Sequence, residues 1–372
     1  MILTKLYIDN YKSFYDTTIE FGKLNIVVGE NNSGKSNLID VLEFIQLAKN
    51  TNFYIAVSKN GGFNKIWNYH YNEKNIFFEL EFEDDIFLVR VRFTINPSFS
   101  VVSLIIYAKS NNTLIPLYIN ASRYNRDKNI MKERVYSYKE NALKLNLIEK
   151  LLILQLKFPN MLSFFSSTYY FNAEKIKDKS NQDSDNIELL NNGSNLGKVL
   201  FSIKEKNKNR FETISNSLIT TVDEIDAVEV QKVLGSYPIG FKEQNREIPI
   251  HIVSDGTINF LATMTALNQD TESSMLVFEE PERHLHFKVV NYLLDSFRHH
   301  KKQILITSHS TEMLKYANLD EIIFIYRDRD GDTQTIRADK IPNLKEKMEY
   351  MKYERSMTLD EMLDEDMVWD FE

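Results

Sequence analysis

The stretch Leu24-Asn25-Ile26-Val27-Val28-Gly29-Glu30-Asn31-Asn32-Ser33-Gly34-Lys35-Ser36-Asn37-Leu38 decides the fold. It opens as a short apolar run of the kind that forms a buried strand. It closes into a helix in which Leu38, Leu42 and Ile45 recur on one face, as packing on a sheet requires. Between the two, Gly29-x-x-x-x-Gly34-Lys35-Ser36 has the spacing of a phosphate-binding loop, in the strand-to-helix setting that motif needs. The glycines let successive backbone N–H groups turn toward phosphate oxygens, and the helix start adds the positive end of its dipole. Lys35 is then expected at the β- and γ-phosphates and Ser36 on a magnesium ion. Asn31, Asn32, Ser33, Gly34, Lys35, Ser36 and Asn37 are the expected nucleotide-binding residues.

Further along, Met275-Leu276-Val277-Phe278-Glu279-Glu280-Pro281 is an apolar strand that delivers adjacent carboxylates at its carboxyl end. Glu279 is placed to hold Mg2+ through water, and Glu280 to polarise an attacking water as general base. Gln303-Ile304-Leu305-Ile306-Thr307-Ser308-His309-Ser310 is another apolar strand, ending in a hydroxyl-rich turn. His309 can donate to a terminal phosphate and help position the water. Alone, a glutamate pair is often surface charge and a single histidine structural; their order after the phosphate loop is what gives them weight.

Strand patterns cover Leu3–Ile8, Thr17–Phe21, Ile76–Phe82, Ile86–Phe93 and Val101–Tyr107, and helical spacing returns over Glu140–Lys157, with Leu143, Leu147, Leu151 and Leu154 in one stripe. A strand near Phe164–Phe171 precedes a polar, loop-like stretch from Lys175 to Asn192. Helix is predicted from Ser194 to about Thr221, strands at Val228–Leu234 and Ile248–Ile252, and a helix over Thr257–Leu267. A helix through Val289–Phe297 and strands at Ile322–Tyr326 and Thr333–Arg337 follow. This alternation predicts an α/β core without internal repeats. Asp328-Arg329-Asp330-Gly331-Asp332 resembles a metal-binding acidic cluster, but it links two apolar strands and lacks a calcium loop's spacing, so a hairpin turn is predicted.

Composition sets bounds. The 372 residues are 43% hydrophobic, enough for a substantial core, and no run approaches the roughly 20 apolar residues that span a bilayer. A cytoplasmic protein with no membrane partner is expected. Without cysteine, disulfides and thiolate metal sites are excluded. The net charge of −8 argues against a basic surface overall. Two basic clusters, Arg123, Arg126, Lys128, Lys132 and Arg134, then Lys204, Lys206, Lys208 and Arg210, read as solvated faces. DNA binding is permitted rather than indicated. The acidic terminal run from Leu359, with Met362, Leu363, Trp369 and Phe371 interleaved, reads as a solvated tail or a docking segment.

Together, Val253-Ser254-Asp255-Gly256-Thr257, Phe278-Glu279-Glu280-Pro281-Glu282-Arg283-His284-Leu285-His286 and Thr307-Ser308-His309-Ser310 resemble the signature, Walker B with D-loop, and H-loop of the RecF/OLD branch of the ATP-binding-cassette superfamily. Asn10-Tyr11-Lys12-Ser13-Phe14 and Asn192-Gly193-Ser194-Asn195-Leu196 extend the similarity over most of the chain. The resemblance implies an α/β P-loop NTPase, an ABC-type head with a mixed-sheet lobe and a helical lobe insertion. The head is expected over 1–340, with the sheet lobe near 1–107 and 270–340, the helical and signature lobe near 108–269, and a C-terminal helix and acidic tail over 341–372. It implies ATP and Mg2+ as cofactors and a homodimer, or a higher oligomer, with ATP at the interface. There Ser254, Asp255 and Gly256 of one copy would cap the other copy's γ-phosphate. Several residues depart from the broader pattern: Glu279 replaces an aspartate, Asp255 a glycine, and Asn259 and Glu174-Lys175 stand where arginine is frequent. No convincing glutamine lid is found; Gln155 falls in the leucine stripe.

Relatives of this branch usually carry a coiled coil or a nuclease domain. The insertions are too short for sustained heptads, and the residues after His309 are too few for a nuclease of roughly a hundred residues. A separately encoded effector is therefore expected. Three functions stay open: a nucleotide-driven switch for such an effector in prokaryotic anti-phage defence, a RecF-like DNA-binding ATPase in repair, and an ATP-dependent assembly scaffold that does not hydrolyse.

Overall fold

The computed structural model describes residues 2–51, 53–68, 70–71, 75–85, 87–97, 99–110, 113–125, 130–136, 166–178, 187–244, 246–355 and 357–364. They fall into two units. The first holds Met1–Ser166, Ser273–Met275 and Leu319–Pro342; the second holds Ser167–Glu272, Leu276–Asn318 and Asn343–Glu372.

In the first unit, strand Ile76–Glu83 alternates strictly, with Ile76, Phe78, Leu80 and Phe82 buried. That period puts one face on a core. It lies in a seven-stranded antiparallel sheet ordered Thr17–Glu20, Ile2–Asp9, Ile76–Glu83, Phe87–Ile95, Phe99–Ser110, Thr113–Asn125, Ile130–Tyr136. Register pairs Leu6 with Leu80 and Ile8 with Phe78, so the buried rows of neighbouring strands coincide. Helix Lys35–Asn50 adds Leu38, Val41, Leu42 and Phe44 to the core. Phe44 meets Tyr11 and Phe78 at centroid distances of 5.5 and 5.9 Å, a tilted aromatic cluster.

The strand before that helix, Leu24–Val28, pairs in parallel with Ile322–Arg327, which turns back antiparallel as Thr333–Arg337. The acidic cluster between them is the predicted hairpin turn: Asp328 Oδ1 accepts from the N–H of Asp330 and of Asp332 at 3.0 and 2.9 Å. Asp332 is nevertheless buried, accepting from Asn68 Nδ2 at 2.9 Å and from the Tyr71 hydroxyl at 2.5 Å. No metal-ligating cluster occurs among the described residues.

In the second unit, strands Gln303–Ser308, Met275–Glu279 and Ser166–Tyr169 lie side by side in that order. Helix Asp255–Asn268 is buried on every face from Gly256 to Leu267, the mark of a core helix. Helix Phe287–His299 buries Val289, Val290, Leu293, Leu294 and Phe297, and its Tyr292 hydroxyl donates to Ser217 Oγ at 3.0 Å. A separate antiparallel sheet joins Ala227–Val230, Ile239–Glu243 and Arg246–Pro249. No described helix is long and apolar enough to cross a membrane.

Several sequence expectations need correction. The lobe expected to turn helical from 108 instead begins as sheet, with strands at Thr113–Asn125 and Ile130–Tyr136. The single helix expected over Ser194–Thr221 is two, Leu196–Lys206 and Lys208–Thr221, because Asn207 leaves helical geometry and its side chain caps the second by accepting from Arg210 N. The strand expected to reach Leu234 stops at Val230; Leu234 and Gly235 both take positive φ in a tight turn closed by reciprocal Val233–Ser236 hydrogen bonds. The strand expected over Ile248–Ile252 ends at Pro249. The stretch read as loop from Lys175 begins inside a short helix, Ala173–Lys177, capped by Asn172. The leucine-striped helix over Glu140–Lys157 with Gln155, the basic residues Arg126 and Lys128, the side chains of Arg123, Lys132 and Arg134, and the tail from 365 lie outside the described residues.

Thr333 ties the hairpin to the phosphate loop: its buried hydroxyl donates to Ser33 O at 2.9 Å and lies 2.8 Å from Ser13 Oγ. Thr333→Val keeps the shape and removes these bonds, so urea denaturation is expected to show a loss of about 1–3 kcal/mol. An unchanged midpoint would contradict the tie.

Candidate functional site

Within the first unit, the structure builds the loop from Gly29 to Ser36 as a tight cradle. A Cβ at Gly29 would lie 2.0 Å from Ile325 O, so only glycine lets the hairpin strand approach. Gly34 has φ +119, and a Cβ there would meet Thr333 Oγ1 at 2.5 Å. Asn32 also takes positive φ. The loop carbonyls are held from the protein side. Arg327 Nε donates to Asn32 O at 2.9 Å, Thr333 to Ser33 O, and Lys35 Nζ to Gly29 O and Glu30 O at 2.5 and 2.7 Å. The helix that begins at Lys35 leaves its first N–H groups without helical partners, so they are available to an anion. Asn31, Asn32 and Ser36 are exposed, Ser33, Gly34 and Lys35 buried, and Asn37 donates to Ser13 Oγ at 2.7 Å. Arg327 and Thr333 lie some 300 positions from the loop they hold, and no sequence motif marked them.

Within the second unit, the buried strand Met275–Glu279 ends at Glu280, whose φ is +46. A non-glycine residue in this region carries strain of about 1–3 kcal/mol, here retained at a turn that re-aims a carboxylate. Glu280 N donates to Thr307 O at 2.9 Å, and Glu280 Oε1 lies 3.2 Å from His309 Nε2. Both side chains are part-exposed, so the pair is open to a ligand. The two expected catalytic residues are thus brought together.

Ser254 caps helix Asp255–Asn268, accepting from Thr257 N at 3.2 Å. The helix starts two residues earlier than its sequence suggested. Gly256 is required there, since a Cβ would sit 2.1 Å from His284 O in the turn after the glutamates. Asp255 pairs with Lys177 at 2.6 Å, and Lys177 also donates to Val253 O. Ser254 and Asp255 are exposed.

One group escaped sequence reasoning. Glu282 is 7% exposed; Ser308 donates its hydroxyl to Oε1 at 2.5 Å, and Oε2 is buried without a hydrogen-bond partner. Ser310 N donates to Ser308 Oγ at 3.0 Å, linking this carboxyl to the turn that carries His309. Burial pushes the Glu282 carboxyl up to about 7, and the charge of Glu280 acts in the same direction, against hydrogen bonds from Ser308 and the backbone. In the sequence it is one of several charged residues in a row, with no signal of burial.

Comparison with known proteins gives a family and a fold. The profile of the family described as "AAA domain, putative AbiEii toxin, Type IV TA system" matches residues 24–315. A protein of Helicobacter pylori named "ATP/GTP phosphatase" is 23% identical over 377 residues, covering 90% of this chain and 91% of its own. Among solved structures, one described as "SmcHead bound to the C-winged helix domain of ScpA" is similar at TM-score 0.51 and 18% identity, covering 90% of this chain and 97% of that one. That likeness is one of fold: an α/β P-loop head of ABC type. The SMC head domain from Thermotoga maritima aligns at TM-score 0.46 and 15% identity over 91% of this chain and 99% of its own.

The raised Glu282 carboxyl makes stability depend on pH. Its folded value of about 7 exceeds the ordinary 4.5, so its contribution is complete below about 4.5, declines as pH rises, and is gone above about 7. Glu282→Gln, neutral throughout, is expected to flatten that decline in urea titrations, by on the order of 3 kcal/mol at neutral pH. Parallel pH profiles for the variant and the parent would refute the assignment.

Proposed function

This chain belongs to the AAA-domain family of the putative AbiEii toxins of Type IV toxin–antitoxin systems, and is an ABC-type AAA ATPase; on that premise we propose that it binds and hydrolyses ATP with Mg2+ as a homodimer that acts as a switch for a separate effector. The observation that carries the reading is the Glu280–His309 pair, 3.2 Å apart at the ends of two buried strands.

In this reading the backbone of Asn31–Asn37 would cradle the phosphates and Lys35 would neutralise the β- and γ-oxygens, and Ser36 and Glu279 are each proposed as ligands that Mg2+ would take. Glu280 takes a proton from the attacking water while His309 donates to the γ-phosphate. Ser254, Asp255 and Gly256 serve the nucleotide of the other copy, because a capped helix start with exposed Ser254 is suited to a phosphate that this copy does not itself hold. Residues 1–340 form the head, and the remainder a C-terminal appendage.

The family's description names a putative toxin of a toxin–antitoxin system, which supports a toxic or effector partner governed by nucleotide state; the cytoplasm and anti-phage defence are the setting proposed for it. A net charge of −8 weighs against a DNA-repair role as the main one. A pure assembly scaffold would have no use for the strained, histidine-paired Glu280.

Glu280→Gln tests the reading. Turnover is expected to fall at least about a hundredfold, with Mg·ATP still bound and an ATP-dependent dimer accumulating in sedimentation velocity. Undiminished turnover would remove Glu280 as base, and a monomer under all nucleotide conditions would remove the dimer.

A further inference from the structure

At the carboxyl end of strand Met275–Glu279 the second unit opens into a cavity of about 390 Å³. Glu279 and Glu280 line it, and so do Lys175, Arg283 and Asn259. Asn259 sits in the second turn of helix Asp255–Asn268 and is only 8% exposed, yet its Oδ1 is buried without a hydrogen-bond partner. Buried amide oxygens are almost always satisfied, so an orphan oxygen on a residue that lines a cavity beside two carboxylates calls for an occupant that donates a hydrogen bond. The side chains of Lys175 and Arg283 make no hydrogen bond or ion pair among the described residues, which leaves both cations to a negatively charged occupant.

Resting on the ATPase reading above, we propose that Asn259 is a further catalytic residue: its Oδ1 accepts the second hydrogen of the attacking water. A water aligned for in-line attack directs a lone pair at phosphorus and has two hydrogens to place. Glu280 takes one as general base. The other needs an acceptor, and the Asn259 amide oxygen supplies one without taking the proton. The water oxygen bonds to the γ-phosphorus as the bond from that phosphorus to the β–γ bridging oxygen breaks. ADP leaves with the electron pair, and the proton on Glu280 passes to the products. Asn259 exchanges no proton; it fixes the water's orientation. Lys175 and Arg283 face the non-bridging oxygens, where positive charge stabilises the transferring phosphoryl group. The amide therefore supplies what a glutamine lid would, and among the described residues no glutamine lines this cavity.

The test compares Asn259→Leu and Asn259→Asp with the parent and with Glu280→Gln, measuring kcat, Mg·ATP affinity and Tm on the full chain. Leucine matches the volume and removes the orphan oxygen, so kcat is expected to fall about tenfold to a hundredfold with ATP affinity unchanged and Tm equal or higher. Aspartate keeps an oxygen in place and is expected to recover much of the lost turnover. Parental kcat in the leucine variant overturns the proposal, and so does equal slowness of both variants. A loss of ATP affinity that accounts for the slower turnover also overturns it. Should the leucine variant not fold, Asn259→Asp decides: retained turnover supports the role, and lost turnover with intact ATP binding overturns it. If Glu280→Gln also leaves turnover intact, the ATPase reading itself fails; if only the Asn259 variants behave as the parent, the failure is confined to the water-orienting role.

Discussion

A phosphate-binding loop must have its carbonyls satisfied by the protein if its N–H groups are to serve phosphate, and in the first unit one hairpin supplies hydrogen bonds to those carbonyls. Arg327 and Thr333 engage the carbonyls of Asn32 and Ser33, and Lys35 turns back onto Gly29 and Glu30. The first amides of the helix that begins at Lys35 have no partner within the helix itself. The glycines follow from the same crowding: Ile325 and Thr333 come so close that no side chain fits at Gly29 or Gly34. The hairpin is anchored in turn by Asp332, buried between Asn68 and Tyr71. The acidic hairpin turn is thus a support of the nucleotide loop.

The second unit solves a different problem, that of presenting acids beside one another without neutralising their function. Positive φ at Glu280 turns its carboxylate toward His309, while Glu282, a turn further on, is drawn inside and kept by Ser308. The two carboxyls therefore sit in opposite environments, one part-exposed and paired, the other buried and raised toward neutrality. Gly256 permits the Asp255–Asn268 helix to pack against the same turn, which brings Asn259 to the cavity that Glu279 and Glu280 line. Strain, a buried acid and an unsatisfied amide cluster within one turn's reach of the expected chemistry, where stability is commonly traded for reactivity.

Features encoded by neighbouring residues were legible in the sequence. Gly29–Ser36 lies between a strand and a helix as read, and Met275–Glu279 and Gln303–Ser308 are buried strands ending in the residues singled out. Features that depend on distant partners were not. Nothing local announces that Thr333 serves Ser33, or that Glu282 in the run Glu279-Glu280-Pro281-Glu282-Arg283 is buried. The strands Thr113–Asn125 and Ile130–Tyr136 were missed because Pro116 and the polar run Asn120-Ala121-Ser122-Arg123 blur the two-residue period, while sheet pairing on both sides of Thr113–Asn125 overrides weak propensity. The break at Asn207 was missed because Asn within a long amphipathic pattern reads as a tolerated polar residue until its capping bond is seen.

The central claim is that the cradle at the start of helix Lys35–Asn50 binds a nucleoside triphosphate. Calorimetric titration of the purified chain and of Lys35→Ala with Mg·ATP tests it most directly. Saturable binding by the parent and a loss of affinity of at least about tenfold in the variant are expected, since a charge-assisted contact to phosphate is removed. No heat of binding in the parent, or equal affinity in both, would contradict it.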